Sequence, residues 1–169
     1  MKKKYLTAFF ILVALAGSVF AATTGTVDLT GTVTQVLNVS VANPTVSFTF
    51  NTAGASVPLG NVTLKSNMKS WAVKVWSTNG SMLKNANTPT PDEIAYAFSM
   101  GSLFSGITLI AGNTAPLSSQ EGYLSMTGKT AASGSVLAMS VTYGAEGSVL
   151  WTSDAGFYTD TIHIEIAAN

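Results

Sequence analysis

Gly25-Thr-Val-Asp-Leu-Thr-Gly-Thr-Val-Thr-Gln-Val-Leu-Asn-Val-Ser-Val41 is the stretch that decides the fold class. Val27, Leu29, Val33, Leu37, Val39 and Val41 all fall on odd positions, and the even positions between them are mostly threonine, asparagine and serine. Successive side chains of a strand point to opposite faces, so the run predicts one long half-buried β-segment or two in series. It is long for a single strand, which usually has about 5 or 6 residues. Gly31 stands at its centre, where the pattern asks for an apolar side chain.

The residues before it read as an export signal. Lys2, Lys3 and Lys4 precede an apolar run from Tyr5 to Val19, and Val19-Phe-Ala21 supplies the small-residue site for cleavage after Ala21 or Ala22. The competing reading is a membrane anchor, because the apolar run is close to the shortest that spans a bilayer. The cleavage site that follows directly favours the signal, so residues 1–21 are expected to be removed and no membrane span to remain.

The chain has no cysteine. A lipoprotein signal and a disulfide framework are therefore both excluded, and the core must stabilise the fold alone. About 148 residues would remain, enough for one domain that buries most of its apolar surface. Loss of the three leading lysines leaves five lysines against eight acids, a balance near −3 that argues against nucleic acid or an anionic membrane as partner. Only 9 % of the residues are charged, while 47 % are hydrophobic, which is not the composition of a disordered chain.

Period two continues along the rest of the sequence. Val46, Phe48 and Phe50, then Trp71, Val73 and Val75, then Ile94, Tyr96, Phe98 and Met100 each alternate with polar or small residues. Further strands are expected at 62–64, 107–110, 123–127, 136–143 and 158–166. Turn clusters separate these runs, among them Thr78-Asn79-Gly80, the segment holding Pro89 and Pro91, and Ser153 to Gly156. No helical period is found beyond the leader. Many short strands at this spacing predict an all-β sandwich or barrel.

Asp154-Ala-Gly156-Phe-Tyr158-Thr-Asp160 narrows the choice, since it follows the spacing of the tyrosine corner that opens strand F of immunoglobulin-like domains. There the tyrosine hydroxyl bonds back to the backbone. Trp71 would then be the buried tryptophan of strand C. An antiparallel immunoglobulin-like β-sandwich needs a strand G after strand F, and only Ala167, Ala168 and Asn169 follow, so the domain is expected to lack that strand. Such a gap exposes an apolar groove and unpaired backbone, which favours association.

These residues resemble a family. Gly25 to Val33 looks like the N-terminal extension of chaperone-usher fimbrial pilins, and Val57-Pro-Leu-Gly60-Asn-Val62 looks like the early strand of those subunits. Ala155 to Ile162 is similar to the close of spore coat protein U-like subunits. The resemblance implies donor-strand exchange, in which one subunit's extension completes the sheet of the next. Val27, Leu29 and Val33 would fill groove pockets, and Gly31 would pass a site too shallow for a side chain. It also implies like subunits, a periplasmic chaperone and an outer-membrane usher as partners, and a destination at the cell surface after transit through the periplasm. On this reading residues 22–34 are a donor strand and 35–169 a single sandwich domain. The alternative is a self-complete secreted module, binding a glycan or protein, whose own segment closes the sheet.

No enzyme, cofactor or metal is expected. His163 is the only histidine, and its parity beside Glu165 turns it outward, so zinc clusters of the usual kind cannot form. Asp92-Glu93 reads as a solvated turn, not as a working carboxylate pair. Gly122-Tyr-Leu-Ser-Met-Thr-Gly128-Lys129-Thr130 approaches a phosphate loop but has five residues between the glycines where four are required. Trp76, on the outer parity of its strand, and Trp151, just before the Asp154 turn, are the aromatic candidates for a binding patch, against the plainer reading of singly exposed aromatics.

Overall fold

The computed structural model describes residues 28–50, 55–85, 92–112, 118, 121–144, 153 and 155–169. The leader at 1–21, Val27, Pro89, Pro91, Trp151 and Asp154 lie outside the described residues. Every regular element among those described is a β-strand, ten in all. The chain divides into two units, Met1–Val33 and Thr34–Asn169, and all ten strands belong to the second.

The strands are β1 (Leu37–Val41), β2 (Ser56–Ser66), β3 (Ser70–Ser77), β4 (Met82–Asn85), β5 (Asp92–Met100), β6 (Phe104–Ile107), β7 (Tyr123–Thr127), β8 (Ser135–Tyr143), β9 (Tyr158–Thr159) and β10 (Ile162–Ala168). They build two antiparallel sheets. The larger runs β1-β2-β8-β5-β4-β9 with β6 on β5, and the smaller runs β10-β3-β7. One core lies between them, a β-sandwich in which Val62 and Leu64 of β2, Phe98 and Met100 of β5 and Met139 and Val141 of β8 share a cluster with Trp71, Val73 and Val75 of β3. Each trio or pair sits on one parity, as half-buried strands require. Trp71 is 2 % exposed, and its indole N–H donates to the Gly128 carbonyl at 2.9 Å.

Several expected strands differ in extent. The 158–166 run is two elements: Tyr158 and Thr159 pair with β4 in the large sheet, whereas β10 pairs with β3 in the small one, and the chain crosses between sheets at Asp160 and Thr161. Residues 46–50 form no strand, yet Val46, Phe48 and Phe50 are half-buried between exposed Thr45, Ser47 and Thr49. Their alternation fixes which side chains turn inward without a ladder, and the Phe48 ring stacks on Tyr143 at 5.9 Å. The strand expected at 107–110 ends at Ile107. Beyond it Leu109 is held by its N–H to Ser81 Oγ at 2.7 Å, and Ala111 makes an isolated parallel bridge to Ser77. Gly122 and Gly128 bracket β7, so the near-match to a phosphate loop is a strand.

β1 is the edge of the large sheet. Its five residues pair antiparallel with β2 from Leu37↔Ser66 to Val41↔Val62. Just before it, Asn67 ties residues 34–36 to the β2–β3 turn, accepting from Val36 N–H at 2.8 Å and donating to the Thr34 carbonyl at 2.7 Å. Residues 28–36 carry no strand, and Leu29 and Val33 are 91 % and 85 % exposed.

Candidate functional site

Two features meet at β10: a polar corner where the chain enters the strand, and an open edge along its length. At the corner, Asp160 is half-buried between β9 and β10, where the chain changes sheets. It is met there by donors from distant segments. Tyr96 OH on β5 donates to Asp160 Oδ2 at 2.8 Å. The N–H groups of Asn79 and Thr161 donate to Oδ1 at 3.0 and 2.7 Å. Charge-assisted bonds of this kind are about twice as strong as neutral ones.

The second strand-to-strand crossover, Thr78 to Ser81 between β3 and β4, lies against this one. Thr78 N–H donates to the Thr161 carbonyl at 2.9 Å, and Asn79 Nδ2 donates to the Thr159 carbonyl at 3.1 Å. Ser77 and Ser81, both buried, complete it: Ser81 N–H donates to Ser77 Oγ at 2.7 Å. Ser77 occupies the inward parity of Val73 and Val75. Beside the corner opens a recess of about 430 Å³ bounded by Thr78, Asn79, Lys84, Thr159, Asp160 and Thr161.

A third row crosses β9, β4 and β5, where Tyr158 pairs with Asn85 and Asn85 with Asp92. Tyr158 OH donates to Asp92 Oδ2 at 2.5 Å, a bond that reaches a side chain on β5. Gly156 serves this row by its size, since a Cβ there would stand 2.4 Å from Asn85 Nδ2. Asp92 and Glu93 diverge, with Glu93 reaching Lys84 at 2.6 Å on the outer side.

Burial pushes the Tyr96 phenol well above the usual range, and the bond to Asp160 and its charge push the same way, against the Ser77 hydroxyl. Tyr158 is raised too, by burial first and then by Asp92. Both phenols therefore stay protonated and donate, which suits a structural clamp better than proton transfer. Among the described residues no three His, Asp or Glu side chains gather as metal ligands would.

The open edge is apolar. β10 pairs with β3 through all seven residues, and Ile164↔Val75 and Ile166↔Val73 are opposite one another. Among the described residues no strand lies on the other side of β10. The consequence is visible in burial: Val73 and Val75 are 0 % exposed, whereas Ile162, Ile164 and Ile166 are half-buried. β1, the edge of the other sheet, approaches β10 within 8 Å from Cα to Cα without a ladder between them.

The outer face of the small sheet carries Trp76 and His163 as a cross-strand pair, stacked at 5.2 Å and 10°, and Lys74 and Glu165 as the next pair at 3.5 Å. His163 Nε2 also lies 3.2 Å from Thr78 Oγ1.

Parity put Trp76 and His163 on one outer face, where they pair, and motif spacing singled out Tyr158 and Asp160 without the donors that Asp160 collects. The signal was present, since an acid on an inward parity must find donors. The contacts of Tyr96 and Asn79 with Asp160 join distant segments, which periodicity does not pair. Of the donor residues, Leu29, Gly31 and Val33 carry no ladder.

The fold is an all-β antiparallel sandwich with a polar crossover corner and, on β10, an apolar edge that no strand covers among the described residues. Compared with known proteins, the chain matches no family model, no curated protein and no solved structure.

Proposed function

We propose that this chain is an exported structural subunit of a bacterial surface fibre, supporting adhesion, in which the segment at 25–33 of one copy completes the sheet of the next along β10. The observation that carries the reading is the unpartnered edge of β10 with its three half-covered isoleucines, in a chain that also has an exposed, strand-patterned apolar segment with no ladder of its own. The strand order supports an immunoglobulin-like sandwich. β1-β2-β8-β5 corresponds to A-B-E-D and β3 with β10 to C and F, so the free side of β10 is where strand G belongs. β7 departs from that plan, lying between β5 and β8 in sequence but pairing with β3.

Burying Leu29 and Val33 in a neighbour contributes roughly 3–6 kcal/mol before ladder bonds and ordering costs. Donor and acceptor are different surfaces, so the contact is heterologous and propagates as a filament. The resemblance to chaperone-usher pilins supports a periplasmic chaperone and usher as the assembly partners, with the apparent signal at 1–21 directing export. The chain is read as a non-enzyme without a cofactor.

One observation favours the alternative, a self-complete secreted module for a glycan or protein. Two strand spacings come to about 9.5 Å, more than the closest approach of β1 to β10. A strand that pairs with both edges must part them, whereas one that pairs with β10 alone need not. The test is to purify the mature chain and run it unboiled in detergent. A ladder that Leu29→Asp abolishes is the expected result. A lone monomer that melts cooperatively with no partner overturns the fibre reading.

A further inference from the structure

The chain contains one Asn-Gly dipeptide, Asn79-Gly80, and it lies in the crossover that braces Asp160. Position 80 is held to glycine by the turn: φ is +71°, and a Cβ there would meet the Ala111 Cβ at 3.1 Å. Ser81 follows with φ 58°, so two successive residues of this crossover sit in the left-handed region. The Asn79 amide is an anchor, since Nδ2 donates to the Thr159 carbonyl. Structure therefore accounts for both residues, but together they also make a reactive pair.

We propose that Asn79-Gly80 is a self-modifying site, at which Asn79 converts to aspartate and isoaspartate and so loosens the crossover that starts β10. Three features combine. The Gly80 nitrogen, with no side chain beside it, makes no hydrogen bond among the described residues. Asn79 and Thr159 border the open recess, which admits water. The amide's bond to Thr159 runs through Nδ2, the atom that leaves, and so commits neither Cγ nor Oδ1.

In the reaction, the Gly80 nitrogen attacks Asn79 Cγ. The N–Cγ bond forms, the Cγ–Nδ2 bond breaks, and the Gly80 amide proton departs, by way of water, with Nδ2 as ammonia. Water then opens the succinimide at one of its two carbonyls, giving aspartate or isoaspartate. No oxidant or other reactant is needed, and alkaline pH accelerates the step because the attacking nitrogen must lose its proton.

Aspartate places a carboxylate where an N–H donor faced the Thr159 carbonyl, and isoaspartate loses that donor while its free carboxylate stands on Cα, so both products add a charge close to Asp160. Isoaspartate also lengthens the backbone inside a turn that has no slack. The proposal rests on the corner alone and is independent of the fibre reading.

The experiment is a timed incubation of the mature protein in mildly alkaline buffer, with peptide mass analysis and an isoaspartate assay, beside the variants Asn79→Gln and Asn79→Asp. The expected result is conversion at Asn79 ahead of every other described asparagine, its absence in Asn79→Gln, and a melting temperature lower by about 3–8 °C in the converted fraction. Asn79→Asp should reproduce that fall. If Asn79→Asp does not fold, the converted wild-type fraction still reports the shift. An amide that persists at Asn79 while another described asparagine converts, or a converted protein that melts as before, overturns the proposal.

Discussion

Asp160 and β10 lie two residues apart and are satisfied in opposite ways. The Asp160 carboxylate collects a phenol and two backbone N–H groups from within the chain, whereas β10 has a ladder on one side only among the described residues. The corner fixes where β10 begins and which of its faces turns inward. The edge leaves three isoleucines half covered and fixes nothing about what lies alongside. A sequence that spends specific, distant partners on the first and generic apolar residues on the second treats the corner as internal structure and the edge as a surface for another strand.

The largest effect should come from breaking the corner. Asp160→Ala removes the acceptor of Tyr96 OH and of two backbone N–H groups, which should cost about 3 kcal/mol and lower the melting temperature by about 6–12 °C. Urea denaturation measures it. A loss under about 1 kcal/mol would mean that the crossover is held by Thr78, Asn79 and the serines without the carboxylate, and the contrast with the edge would fail.

The next test sharpens the other side. Val73→Ala on β3 empties a site walled on both sides and should cost about 2–3 kcal/mol, whereas Ile164→Ala, although it deletes more atoms, should cost about 1–2 kcal/mol in the monomer. In an assembled state the order should reverse, because an added strand would bury Ile164 fully. Equal costs in the monomer would show that the edge is already covered.

Period two made most of this architecture legible. The strand expected at 123–127 is β7, that at 136–143 starts one residue earlier, and the inward residues of β3 and β5 lie in the core. What alternation does not carry is the identity of the partner. Tyr158 to Ile166 keeps one parity throughout, so nothing local announces that the chain leaves one sheet for the other. The break is decided by Tyr96 and Asn79, 64 and 81 residues away from Asp160. The same limit applies to 46–50, where the inward phenylalanines were readable and the missing ladder was not. Asp160 was the one legible clue, a charge on an apolar parity whose burial requires donors that the pattern does not name.

The smallest effect at neutral pH becomes the most telling in alkali. Tyr96→Phe removes one hydrogen bond and should cost about 1 kcal/mol at pH 7. An unfolded tyrosine releases its proton near pH 10, but burial and Asp160 keep Tyr96 protonated above that, so between the two values the unfolded state binds fewer protons. Stability should therefore be constant below about pH 10 and fall above it, by at most about 1.4 kcal/mol per pH unit for this group. Tyr158, half-buried and also raised, adds a smaller slope of the same sign. Tyr96→Phe should flatten the alkaline limb, so that its deficit at pH 7 narrows as pH rises beyond 10. A deficit that stays constant would place the alkaline weakness away from the corner, and the distinction between a closed corner and an open edge would then rest on Asp160 alone.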